Sequence, residues 1–210
     1  VRVEQTAFVR QLDELLRWRR DVRRFREKAV PEALVDDVLG AVRFAPSVGL
    51  SEPTRLIKVM TADKRVAIEE NFERCNGRAL AGYEDDKAQL YADLKLEGLR
   101  EAPVHIAVFC DEETGQGHGL GRQTMPETLV YSVVSGVTLM WLAAEARELG
   151  MGWVSILDPA EVARTLDVPN AWRFVGYLCL GWPVERHDVP ELERMGWERR
   201  GQHGLHVEVR

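Results

Sequence analysis

Six arginines crowd around one acid in the run Arg17-Trp18-Arg19-Arg20-Asp21-Val22-Arg23-Arg24-Phe25-Arg26. Arginine's planar fork makes paired hydrogen bonds to phosphate oxygens. A bend at Asp21 that lets Arg19, Arg20 and Arg23 converge would therefore build a phosphate anchor. Asp21 would then face whatever the phosphate carries. Each guanidinium about 4 Å away favours a carboxylate anion by about 4 kcal/mol at an effective dielectric of ~20. Asp21 is thus expected to start ionised and to accept a proton. The competing reading is a solvated basic helix end, which the helix dipole would also stabilise.

Three further segments carry polar groups in informative places. Ala45-Pro46-Ser47-Val48-Gly49-Leu50-Ser51 is a loop with two hydroxyls and a glycine, able to bring its backbone close to a ring or a ribose. Ser155 lies in the apolar run Gly152–Leu157, expected to be a strand, where a hydroxyl needs a partner. No Gly-x-Ser-x-Gly elbow surrounds it, so a hydrolase nucleophile is disfavoured. Gly115, Gly117, Gly119 and Gly121 precede Arg122, but the spacing is not that of a dinucleotide fingerprint. His105, His118, His187, His203 and His206 are scattered, and no metal site is expected.

The elements that would position these groups read as follows. Apolar residues at helical spacing predict a helix over 7–17, left near Asp21. A second helix is predicted over 31–44, with Pro31 in its first turn. Strands are predicted at 56–60, 104–110, 152–157 and 173–180, the second of them central and buried. Residues 62–98 read as helical with breaks near Gly77 and Gly82. They are polar enough for 83–99 to be a mobile cover. Pro126 opens a long helix that Gly150 closes, and 159–166 is a short one. Gly181-Trp182-Pro183 ends the regular core, and the tail from there to Arg210, with 195–210 at its end, is expected to be polar and extended. The order does not alternate strictly, which disfavours a doubly wound sheet. One α+β domain over 1–210 is expected, with a mixed, mainly antiparallel sheet flanked by helices.

The chain's 210 residues are 45% hydrophobic and 30% charged, enough for one sizeable core. A net charge of −6 argues against broad nucleic-acid binding. Cys75, Cys110 and Cys179 are widely spaced and outside any CxxC, which fits free thiols in a reducing cytoplasm. No N-terminal stretch reads as a signal peptide. The uncharged run Thr128–Ala144 is short for a membrane span and is expected to be a buried helix. It is apolar nearly all round, and a homodimer that covers it is expected.

Taken together, several motifs resemble the nitroreductase-like flavoproteins, and among them the branch that fragments reduced flavin. These are Arg20-Asp21-Val22-Arg23-Arg24-Phe25, the 45–51 loop, Leu94-Lys95-Leu96-Glu97-Gly98-Leu99-Arg100-Glu101-Ala102-Pro103 and Gly119-Leu120-Gly121-Arg122-Gln123-Thr124-Met125-Pro126-Glu127-Thr128. Gly150-Met151-Gly152-Trp153-Val154-Ser155-Ile156-Leu157-Asp158-Pro159 and Pro190-Glu191-Leu192-Glu193-Arg194-Met195-Gly196-Trp197-Glu198 complete the set. Asp21 discriminates most sharply, since ordinary nitroreductases usually carry serine there.

The resemblance implies a domain-sharing homodimer with flavin mononucleotide (FMN) at the subunit boundary. Arg19, Arg20, Val22 and Arg23 would hold its phosphate end, Ser47 and Leu50 its ribityl chain or ring, and Leu99 the ring. Asp21 and Ser155 would be the catalytic pair, handling protons and the oxygen adduct. The implied reaction consumes reduced FMN and molecular oxygen and yields 5,6-dimethylbenzimidazole. NADH or NADPH would act indirectly, through a separate flavin reductase. The sequence departs from the family at Glu52-Pro53-Thr54, where Gln-Pro-Trp is expected. Two alternatives stay open: an NAD(P)H-dependent nitroreductase or flavin reductase on the same scaffold, and a non-catalytic flavin-binding module.

Overall fold

The computed structural model describes residues 2–201 and 206–210, with side chains from Thr6 onward. Four strands form one antiparallel sheet in the order β1-β2-β4-β3: β1 (Thr54–Lys58), β2 (Val104–Asp111), β3 (Gly150–Val154) and β4 (Trp172–Gly181). The α-helices are α1 (Arg2–Trp18), α2 (Glu32–Gly40), α3 (Ala62–Leu80), α4 (Asp85–Asp93), α5 (Thr128–Glu145), α6 (Pro159–Leu166) and α7 (Glu191–Arg194).

β2 is central, as its unbroken apolar run requires, because both faces of the sheet are covered. Ile106, Val108 and Cys110 join Leu178 and Leu180 in one core, against α2 and α5. Ala107 and Phe109 join Tyr177 and Cys179 in a second core, against α3 and α6. Each fully buried aliphatic side chain contributes ~1.5–3 kcal/mol, so these two layers hold the fold.

Between α1 and α2 the chain leaves helix and runs along the β3 edge. Val22 N–H donates to the Met151 carbonyl at 3.1 Å, and Asp21 makes a parallel bridge to Met151. The sheet is thus antiparallel with one short parallel contact. Farther on, Arg26 N–H donates to the Trp182 carbonyl at 2.8 Å and Val184 N–H to the Arg24 carbonyl at 3.1 Å. The close approach explains Gly152: a Cβ there would lie 2.1 Å from the Val22 carbonyl oxygen.

Several boundaries differ from the sequence reading. The 31–44 helix divides into α2 and a tighter 3₁₀ turn over Ala41–Phe44, with Pro31 at its N-cap. α3 passes straight through Gly77, which faces open space and costs a surface helix only about 1 kcal/mol. β1 begins two residues early, at Thr54. Gly150 opens β3 rather than merely closing α5, and β3 ends at Val154, which leaves Ser155 outside the strand. The tail contains α7 and is not wholly extended. His203 lies outside the described residues.

α5 is long and apolar enough, by length and composition, to cross a membrane. Its Leu129, Val133, Val137, Met140 and Ala144 are nevertheless packed into the first core. The opposite face leaves Tyr131 and Val134 exposed, and α1 similarly exposes Phe8, Leu12 and Leu16.

Candidate active site

The bend at Asp21 exists, but the three arginines do not converge on one point. Arg19 lies over the Trp141 ring, 4.7 Å from its centroid. Arg23 donates from Nε to Asp21 Oδ2 at 2.8 Å and from Nη1 to the Lys95 carbonyl at 2.9 Å. Arg20 donates to the Arg19 carbonyl at 2.6 Å and to the Asp188 carbonyl. The three guanidiniums are thus turned to three different sets of neighbours.

Arg20, Asp21 and Arg23, but not Arg19, line a cleft closed on one side by the segment after β4. Five arginines face it: Arg20, Arg23, Arg24, Arg186 and Arg194. Four of them have a carboxylate partner. Arg23 pairs with Asp21, Arg24 with Glu191 at 2.5 Å, Arg186 with Glu145, and Arg194 with Glu185 at 3.6 Å. Arg20 has carbonyl partners, and its buried Nε has no acceptor among the described residues. Burial, then Arg200 and Arg19, lower its affinity for its proton below the usual arginine value. Asp188 and Glu145 offset this only in part, so among the described residues Arg20 is the cleft arginine with no direct carboxylate pair, the one most open to an added anion.

Asp21 is fixed from two sides. Its Oδ1 accepts the Trp153 N–H at 2.8 Å and its Oδ2 accepts Arg23 Nε at 2.8 Å. Each oxygen keeps a further lone pair, so the carboxylate can accept a proton while staying anchored. Trp141 Nε1 donates to the Arg20 carbonyl at 3.0 Å, tying the arginine run to the C-terminal half of α5. Glu145, at the end of α5, has its carboxyl pushed up by burial, against which Arg186 works.

The other candidates lie elsewhere. The Ser47–Leu50 turn is held at the opposite half of α5, where Val48 N–H donates to Ser132 Oγ at 3.0 Å. Ser132 and Trp141 are nine residues apart on α5, about 14 Å at 1.5 Å per residue. Ser47 Oγ accepts the Glu52 N–H at 3.3 Å, and Leu50 is exposed at positive φ. Ser155 is exposed, and its hydroxyl makes no hydrogen bond among the described residues. Leu99 is 5% exposed and packs in the second core. Neither Ser155 nor Leu99 lines the arginine cleft.

Sequence reasoning missed part of the cleft wall. Arg24 belonged to the same arginine run and could have been named. Arg186 and Glu145 are far away in sequence and nothing local marks them, while Arg194 lies in the Pro190–Glu198 motif but was given no role. Trp141 and Trp153, 6.3 Å apart between centroids, flank the Asp21 segment. An indole N–H in an apolar helix was the one available signal, since it needs an acceptor when half buried.

A two-core α+β sheet with an arginine cleft at its edge strand defines a class, and comparison with known proteins agrees. The Nitroreductase family model matches residues 16–182, and the chain belongs to that family. Within it, the chain is 55% identical over 192 residues to the 5,6-dimethylbenzimidazole synthase of Rhodospirillum rubrum, covering 91% of each chain. A second 5,6-dimethylbenzimidazole synthase, from Rhodobacter capsulatus, is 44% identical over 187 residues, covering 89% of this chain and 90% of the relative. The crystal structure of an oxidised iodotyrosine deiodinase bound to FMN and 3-iodo-L-tyrosine superposes with a TM-score of 0.72. Its sequence identity is 22%, over 95% of this chain and 97% of that one, so it supports the fold.

Proposed function

We propose that this protein fragments reduced FMN with molecular oxygen to give 5,6-dimethylbenzimidazole, the lower ligand of vitamin B12. One observation carries the reading. A carboxylate locked by Trp153 N–H and Arg23 borders a cleft lined by five arginines, of which Arg20 has no direct carboxylate pair among the described residues, in a chain 55% identical to a synthase of that compound. Reduced FMN is the substrate here and brings the oxygen reactivity itself. The protein's part is placement, exclusion of water and proton handling.

Arg20 and its neighbours Arg19, Val22 and Arg23 hold the phosphate end. Asp21 accepts a proton on the ribityl or ring side, since its remaining lone pairs are free for it. Ser155, whose hydroxyl is unspent, donates near the ring and steers the outcome. The segment 83–99 excludes solvent. The Ser47–Leu50 turn is held at Ser132, about 14 Å along α5 from Trp141, and neither Ser47 nor Leu50 lines the arginine cleft of its own subunit. They serve the flavin held by a second copy. Such a homodimer also covers the exposed apolar faces of α5 and α1. A separate flavin reductase, using NADH or NADPH, supplies the reduced flavin, and the protein works in the cytoplasm.

Aerobic incubation with chemically reduced FMN, followed by chromatography, tests the reading. Benzimidazole formation without added nicotinamide is expected. Steady NADH oxidation by a tightly flavinated protein, with no benzimidazole, would instead favour the nitroreductase alternative.

A further inference from the structure

The segment after β4 makes contacts that the proposed chemistry does not use. α7 ends in a full left-handed cap: Gly196, at φ +77°, donates to the Glu193 carbonyl at 3.1 Å and Trp197 N–H to the Leu192 carbonyl at 2.8 Å. This closure is a Schellman motif, and it fixes where Trp197 points. The indole packs against two tyrosines of the neighbouring cover, with centroids 5.4 Å from Tyr83 and 5.9 Å from Tyr91. Those tyrosines stack on each other at 4.9 Å. Lys87 lies 4.0 Å above the indole and donates to the Trp197 carbonyl at 3.0 Å.

α4 needs such fixing. A helix of nine residues does not hold itself in water. Its position depends on Tyr91, whose hydroxyl donates to Asn76 on α3 at 2.7 Å, and on Trp197. Just past its end, the Lys95 carbonyl receives Arg23 Nη1 at 2.9 Å, and the Lys95 ammonium spans Glu97 at 3.2 Å and Glu101 at 2.9 Å. Arg23 in turn holds Asp21. A continuous chain of contacts thus runs from Trp197 through α4 and Lys95 to the carboxylate.

We propose that Trp197 is a latch. It pins α4 so that the 94–99 segment closes on Arg23, and it acts as a positioning residue for Asp21. The sequence Met195-Gly196-Trp197 then exists to build the latch: the glycine supplies the turn and the tryptophan the contact area. The conformational half of this proposal stands without the reaction assigned above; its catalytic half rests on that reading.

The test compares full-length wild type, Trp197→Ala and Trp197→Phe by hydrogen exchange and by product ratio. Two aromatic contacts are lost in the alanine variant, so exchange across 83–99 should quicken about tenfold while β2 stays protected. The phenylalanine variant should restore most of the protection. With reduced FMN in air, the alanine variant should yield at least about threefold less benzimidazole per flavin oxidised, and phenylalanine should rescue it. Unchanged exchange over 83–99 would overturn the latch. Quickened exchange with an unchanged product ratio would overturn the positioning role. If wild type itself forms no benzimidazole, the reaction assignment and the catalytic half fall together, while exchange still decides the latch. Should Trp197→Ala fail to fold, Tyr83→Ala removes one of its two ring contacts from an exposed position. Its exchange over 83–99 should rise severalfold, and no rise would refute the proposal.

Discussion

Asp21→Asn separates chemistry from architecture. Asparagine keeps one oxygen, which can still accept the Trp153 N–H now bound at 2.8 Å. Its amide group then meets Arg23 Nε donor to donor, in place of a 2.8 Å ion pair. The side chains are 30% exposed for Asp21 and 13% for Arg23, so water compensates only in part. A charged hydrogen bond is worth ~1.5–3 kcal/mol net, and part returns through the retained acceptor, leaving a loss of ~1–2 kcal/mol. For a chain of this length that lowers Tm by about 3–6 °C. Product formation should fall much further, by about 10²–10⁴, because the proton acceptor is gone. The assay is chromatographic yield of benzimidazole at a temperature where both proteins are folded, with Tm by differential scanning calorimetry. A variant that forms product within twofold of wild type would remove Asp21 from the mechanism. A Tm loss above about 10 °C would mean that its role is architectural.

Arg20→Ala should weaken anaerobic binding of reduced FMN by about 10–100-fold, with a smaller change in kcat, because the cleft arginine without a direct carboxylate pair is lost. Gly152→Ala places a Cβ 2.1 Å from the Val22 carbonyl oxygen and should cost at least ~2 kcal/mol, seen as a Tm loss together with lost flavin binding. Ser155→Ala should still consume reduced FMN but release less benzimidazole per flavin, measured on one chromatogram. His105 is buried with its Nδ1 3.1 Å from Tyr177 Oη and its Nε2 3.0 Å from the Ala102 carbonyl. Burial, then Arg65, lowers its pKa from 6.5 to about 4. Because the folded value lies below the unfolded one, the unfolded chain takes up the proton first. This contribution to stability is intact above pH ~6.5 and is lost progressively toward pH ~4, by about 3 kcal/mol. Urea melts should show that slope, and His105→Gln should flatten it.

Much of this architecture was readable from residue patterns, for reasons that differ by element. The 104–110 run declared a strand covered on both faces, and Pro159–Leu166 matched α6 to the residue, since Asp158 caps it through the Glu161 N–H at 3.0 Å. The arginine run marked the place of a basic cleft, and Asp21 lines it. Its partners were not readable, because Trp153, Lys95 and Glu145 arrive from distant elements. Convergence of Arg19, Arg20 and Arg23 failed as an expectation because Trp141 and the Asp188 carbonyl compete for two of them. Ser155 was placed inside a strand because the apolar pattern continues through Ile156 and Leu157. Pattern alone does not reveal that β3 stops where its pairing with β4 ends at Val154 and Tyr177. The latch at Trp197 was invisible for the same reason as the cleft wall: its partners lie more than a hundred residues away.

The fate of the flavin is the most direct test of the proposed reaction. Reduced FMN labelled with carbon-13 in its ribityl chain, incubated in air with the protein, should give a benzimidazole that retains one labelled carbon, read by mass spectrometry. Recovery of intact labelled FMN as the sole flavin-derived species, with oxygen consumed and no benzimidazole, would contradict it.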